Sequence, residues 1–528
     1  MPPGLARGVP APQPAVGLRL ALGLLGILLA AITAGLNSRV SGLALADVRG
    51  ALGLGVDEAS WLNTVYAAGE LAVMPFAGWF AITFSLRRFT LAMLVAIIAL
   101  AALIPQVHEL RLLLALRGMQ GVFSGTLIPL LMMAALRFLP PPIRLHGLAL
   151  YALTATFAPN VALWLASQWV DQLADWRWVY WQVMPFGVLA AALVAYGIPK
   201  MPLALPRLRQ ANWLGLALGM PGLALMALVL DQGVRLDWLH SPLIQAALWA
   251  GGLLSLLFVL SEWRHPAPFI KLQLLERRNL GLGFSIFVCL LLCMSVSVAL
   301  PANTLAHLQG FRLAQTQSLG LIIALPQLLL GPAVAVLLYQ RWVDARYLFA
   351  LGALCIAAAC GLAANISSEW QVQQLLAAQV LQALGQPMAV IALLFLGTSV
   401  VQPMEGPYVS GIINTLRALG TLVGSSLVGE LLHRRGQFHA EMLLDQAGRW
   451  LSHMPQQLPA HLGSLSASVA EQASVLATAD VYRVFGLLAL LLVPLALCLQ
   501  HIAAPVLTPP LPSSPGSPGA AAVPAPSH

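Results

Sequence analysis

Asp57–Arg88 reads DEASWLNTVYAAGELAVMPFAGWFAITFSLRR, a run whose middle belongs in hydrocarbon except for one carboxylate, Glu70. Counted from Trp61, Glu70 falls half-way along a span of about 20 residues, the length that crosses a bilayer. A charge at that depth costs several kcal/mol unless it is paired, hydrated or protonated, so an intramembrane acid is by default a functional-site hypothesis. Asn63, Tyr66 and Glu70 follow i, i+3, i+7 spacing, which puts them on one helix face. That face should look into a protein interior or wet cavity. A structural acid held by a neighbouring base is the competing reading.

The rest of the chain has the same character. Of its 528 residues 59% are hydrophobic and 9% charged, against roughly 25% charged in soluble domains. Apolar runs near 18–46, 60–82, 89–107, 112–136, 146–170, 178–198, 211–231, 242–261, 280–304, 317–339, 346–366, 373–400, 408–430 and 482–502 predict an all-α integral membrane protein of 14 transmembrane helices. The Pro-rich start lacks a small-residue cleavage site after a short apolar core, so the first run reads as a retained helix. The 27 basic residues are scattered at span ends. Topology explains the chain's net charge of +8 better than nucleic acid does, and no nucleic-acid partner is expected.

Fifteen of the basic residues fall on the side of the N-terminus and nine on the other, which by the positive-inside rule puts both termini in the cytoplasm. The expected organisation is a Pro-rich cytoplasmic N-terminus (1–17), a six-helix bundle (18–200), two inserted helices (201–265), a second six-helix bundle (266–504) and a disordered cytoplasmic tail (505–528). Within the second bundle a long loop, 436–480, should lie outside the cytoplasm, with helix in its first half. It either docks a partner or is a lengthened loop without a role. Two such bundles are an arrangement that transporters use around a midplane site.

Polar residues inside the spans supply the remaining candidates. Arg39, Arg117 and Arg417 are the basic residues that remain inside predicted spans once those at span ends and in loops are set aside, with Gln120 on the face of Arg117. Gln379, Gln382 and Gln386 repeat the i, i+3, i+7 pattern, and Asn414 joins Arg417. Either these residues line a substrate cavity, or they are hydrogen-bonding glue between helices. Gly121 and Gly125 form a G-x-x-x-G pattern that permits close packing. Trp176, Trp178, Trp181, Trp238 and Trp263 suit an interfacial belt, and Asp231 reads as a solvated charge closing a span. The five cysteines lie in apolar runs and read as small packing residues. No Walker lysine loop, nucleophile elbow or metal-ligand cluster is visible, so no enzymatic activity, cofactor or metal is expected.

Several runs also carry a family likeness. Arg117-Gly-Met-Gln-Gly121, Trp176-Arg177-Trp178-Val179-Tyr180 with Pro185 and Gly187, Asp231-Gln232-Gly233, and Asn414-Thr415-Leu416-Arg417 with Gly420 and Gly424 stand in order between residues 117 and 424, within a likeness that runs from about Asn37 to His439. In them the chain resembles the 14-helix drug:proton antiporter branch of the major facilitator superfamily, the EmrB/QacA-like group. The resemblance implies the major facilitator fold, with two pseudo-symmetric six-helix bundles and two inserted helices. It implies proton-coupled efflux of amphipathic or aromatic drugs and toxic compounds across the bacterial inner membrane. A membrane-fusion adaptor in the periplasm and an outer-membrane channel are its implied partners, besides small-molecule substrate, protons and membrane lipid. Arg117 is implied to lie near the proton path. A metabolite exporter or proton-linked importer remains an alternative within transport, and a non-transporting sensor or scaffold is an alternative of another class.

The chain departs from the family pattern in three places. The loop after the second span keeps Gly78 and the terminal basics but has Ile82 in place of the motif's Asp. The antiporter motif of the fifth span is reduced to Ala158-Pro159-Asn160-Val161-Ala162-Leu163. The first-span acid aligns with Asn37, which cannot titrate, while Arg39 and Glu70 are new. Glu70, Arg39 and Arg117 are therefore the proton-coupling candidates. The substrate-cavity candidates are Asn37, Asn63, Tyr66, Gln120, Gln379, Gln382, Gln386, Asn414 and Arg417.

Overall fold

The computed structural model describes residues 17–140, 143–451 and 458–505. The Pro-rich N-terminus and the C-terminal tail fall outside the described residues. Everything ordered among them is helical, with no strand.

Among the described residues thirteen helices are long and apolar enough to span a membrane, and a bent pair makes a fourteenth. The first six are α1 (Leu18–Leu43), α2 (Val56–Thr83), α3 (Leu86–Gln106), α4 (Leu110–Phe138), the bent α5 (Arg144–Thr156 with Ala158–Gln172) and α6 (Trp178–Gly197). Then come α7 (Trp213–Gln232) and α8 (Pro242–Arg264). The last six are α9 (Arg278–Gln309), α10 (Leu313–Leu337), α11 (Ala345–Ala363), α12 (Val372–Thr398), α13 (Gly406–Arg449) and α14 (Leu465–Leu497). The even count returns the chain to the side from which it started, here called the near side.

The bend in α5 is 43° and follows from Pro159, which has no N–H for the helical ladder and a ring that crowds the preceding turn. Asn160 donates back across the break to the Thr156 carbonyl. A second break, at Ser295–Val298, interrupts α9. In hydrocarbon such backbone is tolerated only where protein or water covers it, and both breaks border the same cavity.

Glycine sets how closely the helices approach. A side chain at Gly121 or Gly125 of α4 would run into the carbonyls of Tyr66 and Glu70 on α2, so the pattern read as packing is a backbone contact. On the near side, α2 and α13 close in the same way. A Cβ at Gly78 would lie 2.8 Å from the Pro407 carbonyl oxygen, and one at Gly411 would lie 2.7 Å from that of Pro75. Ser410 Oγ donates to the Pro129 carbonyl at 2.5 Å, tying α13 to α4.

The inserted pair is fastened mainly to α2. Near its inner end, Phe76 meets Phe258 of α8 and Phe269 edge-on at centroid distances of 5.6 and 5.1 Å. Glu262 accepts from Asn212 Nδ2 at 2.8 Å and from the Ile270 amide at 2.9 Å, clamping the two ends of the pair and the chain that follows. At the far end, Arg235 pairs with Asp57 at 2.5 Å, while Trp238 donates to Glu430 of α13 at 2.7 Å. Trp238, expected in an interfacial belt, thus links the pair to the second bundle. The outward face of α8, with Trp249, Leu253 and Leu256 exposed, is covered by lipid in a bilayer.

The interval 436–480 differs from the expected loop. Helix continues through Leu451 and resumes at Leu458, and the two arms are pinned where Arg435 and His439 both reach Asp480, at 2.5 and 2.8 Å. Its amphipathic sequence, read as helix only in the first half, forms helix in both described arms.

Candidate functional site

A cavity of about 470 Å³ lies between the two bundles, within the 300–1,000 Å³ typical of ligand sites. Its wall runs from mid-depth (Met74, Ile128, Thr154) to the far ends of the helices (Leu43, Asn303, Ser425). The near side is shut by the α2–α13 contacts.

Five of the sequence candidates reach this wall: Arg39 from α1, Asn63, Tyr66 and Glu70 from α2, and Arg417 from α13. Neither Arg39 nor Glu70 makes a hydrogen bond or ion pair with a described residue. Each acts on the other through space, and Arg417 acts on both. Arg417 is anchored, donating from Nη1 to Thr154 Oγ1 and from Nη2 to the Thr154 carbonyl, both at 2.5 Å. Glu70 and Arg39 belong to one bundle and Arg417 to the other, so the carboxylate feels guanidinium charge from both.

Behind Tyr66 lies a second layer. Arg117 is almost fully buried, with its guanidinium carbon 4.2 Å from the Tyr66 ring centroid and 5.3 Å from that of Tyr180. It donates to Gln120 Oε1 at 2.5 Å, to Ser41 Oγ, and to Asn37 through the side-chain oxygen at 3.5 Å and the carbonyl at 3.4 Å. Every one of these acceptors is neutral. Tyr66 in turn donates to Ser124 Oγ at 2.6 Å. Asn37 thus stands against the buried guanidinium where the resemblance leads one to expect a carboxylate.

The other candidates also sit one layer back, a correction to the expectation that they line the cavity. Asn37 and Gln120 are taken up by Arg117. Gln386 accepts from Asn160 Nδ2 at 3.0 Å and donates to Gln382 at 3.3 Å. Gln379 donates to the Ser297 carbonyl at 3.0 Å, where α9 is broken. Asn414 accepts from Tyr151 at 2.9 Å. An amide inside a bundle is costly unless bonded, and each of these finds at least one partner on its own or a neighbouring helix, although Gln120 Nε2 and Gln379 Oε1 have none among the described residues. In this conformation they join helices.

Asp231 moves the other way. Read as a solvated end charge, it lies on the cavity wall and accepts from Thr64 Oγ1 at 2.5 Å. Thr154 and Asn160 were also missed. Asn160 follows the one proline retained in the reduced antiporter motif, which was the available signal; Thr154 carried none.

Two bundles around a cavity that runs from mid-depth to the far side, a broken fifth helix and a pair of helices between the halves define a multi-pass membrane transporter. The sequence profile of the Major Facilitator Superfamily matches residues 27–425, and the chain belongs to that family, in its EmrB-like drug:proton antiporter branch. It is 26% identical over 470 residues to the probable multidrug resistance protein EmrY of Escherichia coli (strain K12), covering 86% of this chain and 89% of that protein. It is 24% identical over 497 residues to the fatty acid resistance protein FarB of Neisseria gonorrhoeae, covering 91% and 96%. Among solved structures, the human organic anion transporter MFSD10 aligns with a TM-score of 0.55 at 14% identity over 90% of this chain and 99% of that one. The proton:xylose symporter XylE gives 0.55 at 13% identity over 93% and 98%. These two likenesses concern the fold alone.

Proposed function

We propose that the protein exports amphipathic or aromatic toxic compounds in exchange for protons across the bacterial inner membrane, with both termini in the cytoplasm. The observation that carries this reading is Glu70. It is a carboxylate on the wall of a cavity between two bundles, with no hydrogen-bonded or ion-paired partner among the described residues and with guanidinium charge on both sides.

Ionised, Glu70 is attracted to Arg417 of the opposite bundle as well as to Arg39 of its own. Protonation removes that attraction, so the proton changes the electrostatic tie between the halves. Arg39 and Arg417 stay charged throughout; their work is to set how readily Glu70 takes a proton. Arg117, a layer behind, adds positive field and holds Tyr66 and α1 in place. The present state, shut on the near side, is then the one that meets the periplasm, where protons load. A ligand that binds better when Glu70 is ionised displaces the proton and is carried the other way, since linkage between two sites is reciprocal.

The resistance relatives EmrY and FarB support export over import. The helical extension of α13 and α14 is the surface offered to a periplasmic adaptor, which would lead to an outer-membrane channel. Reconstituted vesicles test the transport reading. Adding substrate should dissipate an imposed pH gradient while the substrate moves against the proton flow. Vesicles that move neither substrate nor protons would leave the fold without this function.

A further inference from the structure

We infer that Asp231, delivered to the cavity by the first inserted helix, reads the positive head group of an amphipathic monocation. This rests on the transport reading above and names a substrate class and the residue that selects it.

Among the described residues four charged side chains reach the cavity wall: Arg39, Glu70, Asp231 and Arg417. Glu70 lies within the combined field of Arg39, Arg417 and Arg117, with Tyr66 beside it, so a cation gains little there. Asp231 is placed differently. Its only hydrogen bond among the described residues comes to Oδ2 from Thr64, leaving Oδ1 without a partner. Arg235 acts on it through space, but that guanidinium is committed, pairing with Asp57 and donating to Gln232 Oε1, each at 2.5 Å. The carboxylate therefore lies on the wall of an intramembrane cavity without an ion pair, a position that a ligand cation can fill. Met294 and Leu422 on the same wall offer the apolar body of such a molecule a surface.

The two acids are separated. Thr64, which marks the level of Asp231, precedes Glu70 by six residues on α2, about 9 Å along the helix. At that distance a cation held at Asp231 opposes a proton on Glu70 on the order of tenfold. The sign is the one exchange requires: each ligand weakens the other without contact between them. On this reading α7 is a wall of the transport site as well as a connection between bundles.

Equilibrium binding to the purified full chain in detergent tests this without a gradient, so it can fail while proton-driven export stands, or hold while export fails. Tetraphenylphosphonium is the cation probe and the neutral amphiphile N-phenyl-1-naphthylamine the control. Asp231→Asn is expected to weaken tetraphenylphosphonium binding at least tenfold and leave the neutral probe unchanged, with Asp231→Glu restoring the cation. Absence of cation binding by the wild type, an unchanged affinity in Asp231→Asn, or equal loss of both probes in a chain that melts normally would overturn the assignment. Should Asp231→Asn not assemble, Asp231→Glu decides: retained cation binding supports the assignment, and its loss with the neutral probe intact overturns it.

Discussion

Arg39 and Glu70 face one cavity from α1 and α2, yet no ion pair joins them; they act on each other only through the space between. A closed pair would fix the carboxylate in its ionised form and hold the side chains together, because breaking a buried pair leaves an uncompensated charge. An open pair leaves Glu70 free to exchange a proton while Arg39 still biases it. Arg39→Gln should therefore change the pH profile of substrate-driven proton uptake without abolishing transport. A superimposable profile would show that Arg39 does not act on the titrating group.

The neutral shell of Arg117 leads to a test by exchange of acids. Asn37→Asp places a carboxylate where the amide oxygen now lies 3.5 Å from Nη1, and a charge-assisted bond there should stabilise the protein by about 2 kcal/mol. Thermal melting in detergent reads that change. Because a closed pair fixes a carboxylate in its ionised form, the Asn37→Asp/Glu70→Gln double variant should not recover in vesicles the gradient-driven efflux that Glu70→Gln loses. Recovery in a stable double variant would show that an acid paired with Arg117 can still carry the proton.

Near-side closure depends on backbone contact at Gly411, where a Cβ would lie 2.7 Å from the Pro75 carbonyl oxygen. Gly411→Val should wedge α2 and α13 apart and lower transport at least tenfold in a protein that still inserts. Spin labels on the near-side ends of the two helices would report a longer distance. An unchanged distance would place the closure elsewhere.

Ser85 lies in the loop that has lost its motif aspartate. Its φ is +69°, a region that favours glycine, and its hydroxyl is buried without a partner. Ser85→Gly should relieve about 1 kcal/mol of strain and raise the melting temperature. A lower melting temperature would contradict this account of the loop.

Outside the spans, Arg277 donates to both carboxylate oxygens of Glu405, at 2.7 and 2.8 Å. These hydrogen bonds hold the Glu405 carboxyl below the usual carboxylate range. Because the folded value lies below the unfolded one, the stabilisation is complete above about pH 4.3 and is lost as the pH falls through the folded value. The pair is partly exposed, so its worth is at most about 1 kcal/mol. Wild type should melt slightly above Glu405→Gln at neutral pH and together with it in acid. A gap that persists in acid would assign the stabilisation to packing.

Spans, their number and the intramembrane acid were legible because hydropathy and helical spacing report them directly. Which polar face meets the cavity was not. Gln379, Gln382 and Gln386 have the same spacing as Asn63, Tyr66 and Glu70, but the break in α9 and the side chain of Asn160 absorb them, and no spacing rule records a partner on another helix. Asp231 was misread for the converse reason. A charge closing a span resembles any solvated end, and only the packing of α7 against α2 brings it to Thr64. The helical arms of 436–480 were half legible, since polar residues facing across two helices dilute the amphipathic signal.

Proton flux through Glu70→Gln tests the central claim most directly. The variant should insert and melt as the wild type does, yet substrate addition should no longer dissipate a pH gradient across the vesicle membrane. Wild-type dissipation by Glu70→Gln would contradict the assignment and return Glu70 to a structural role.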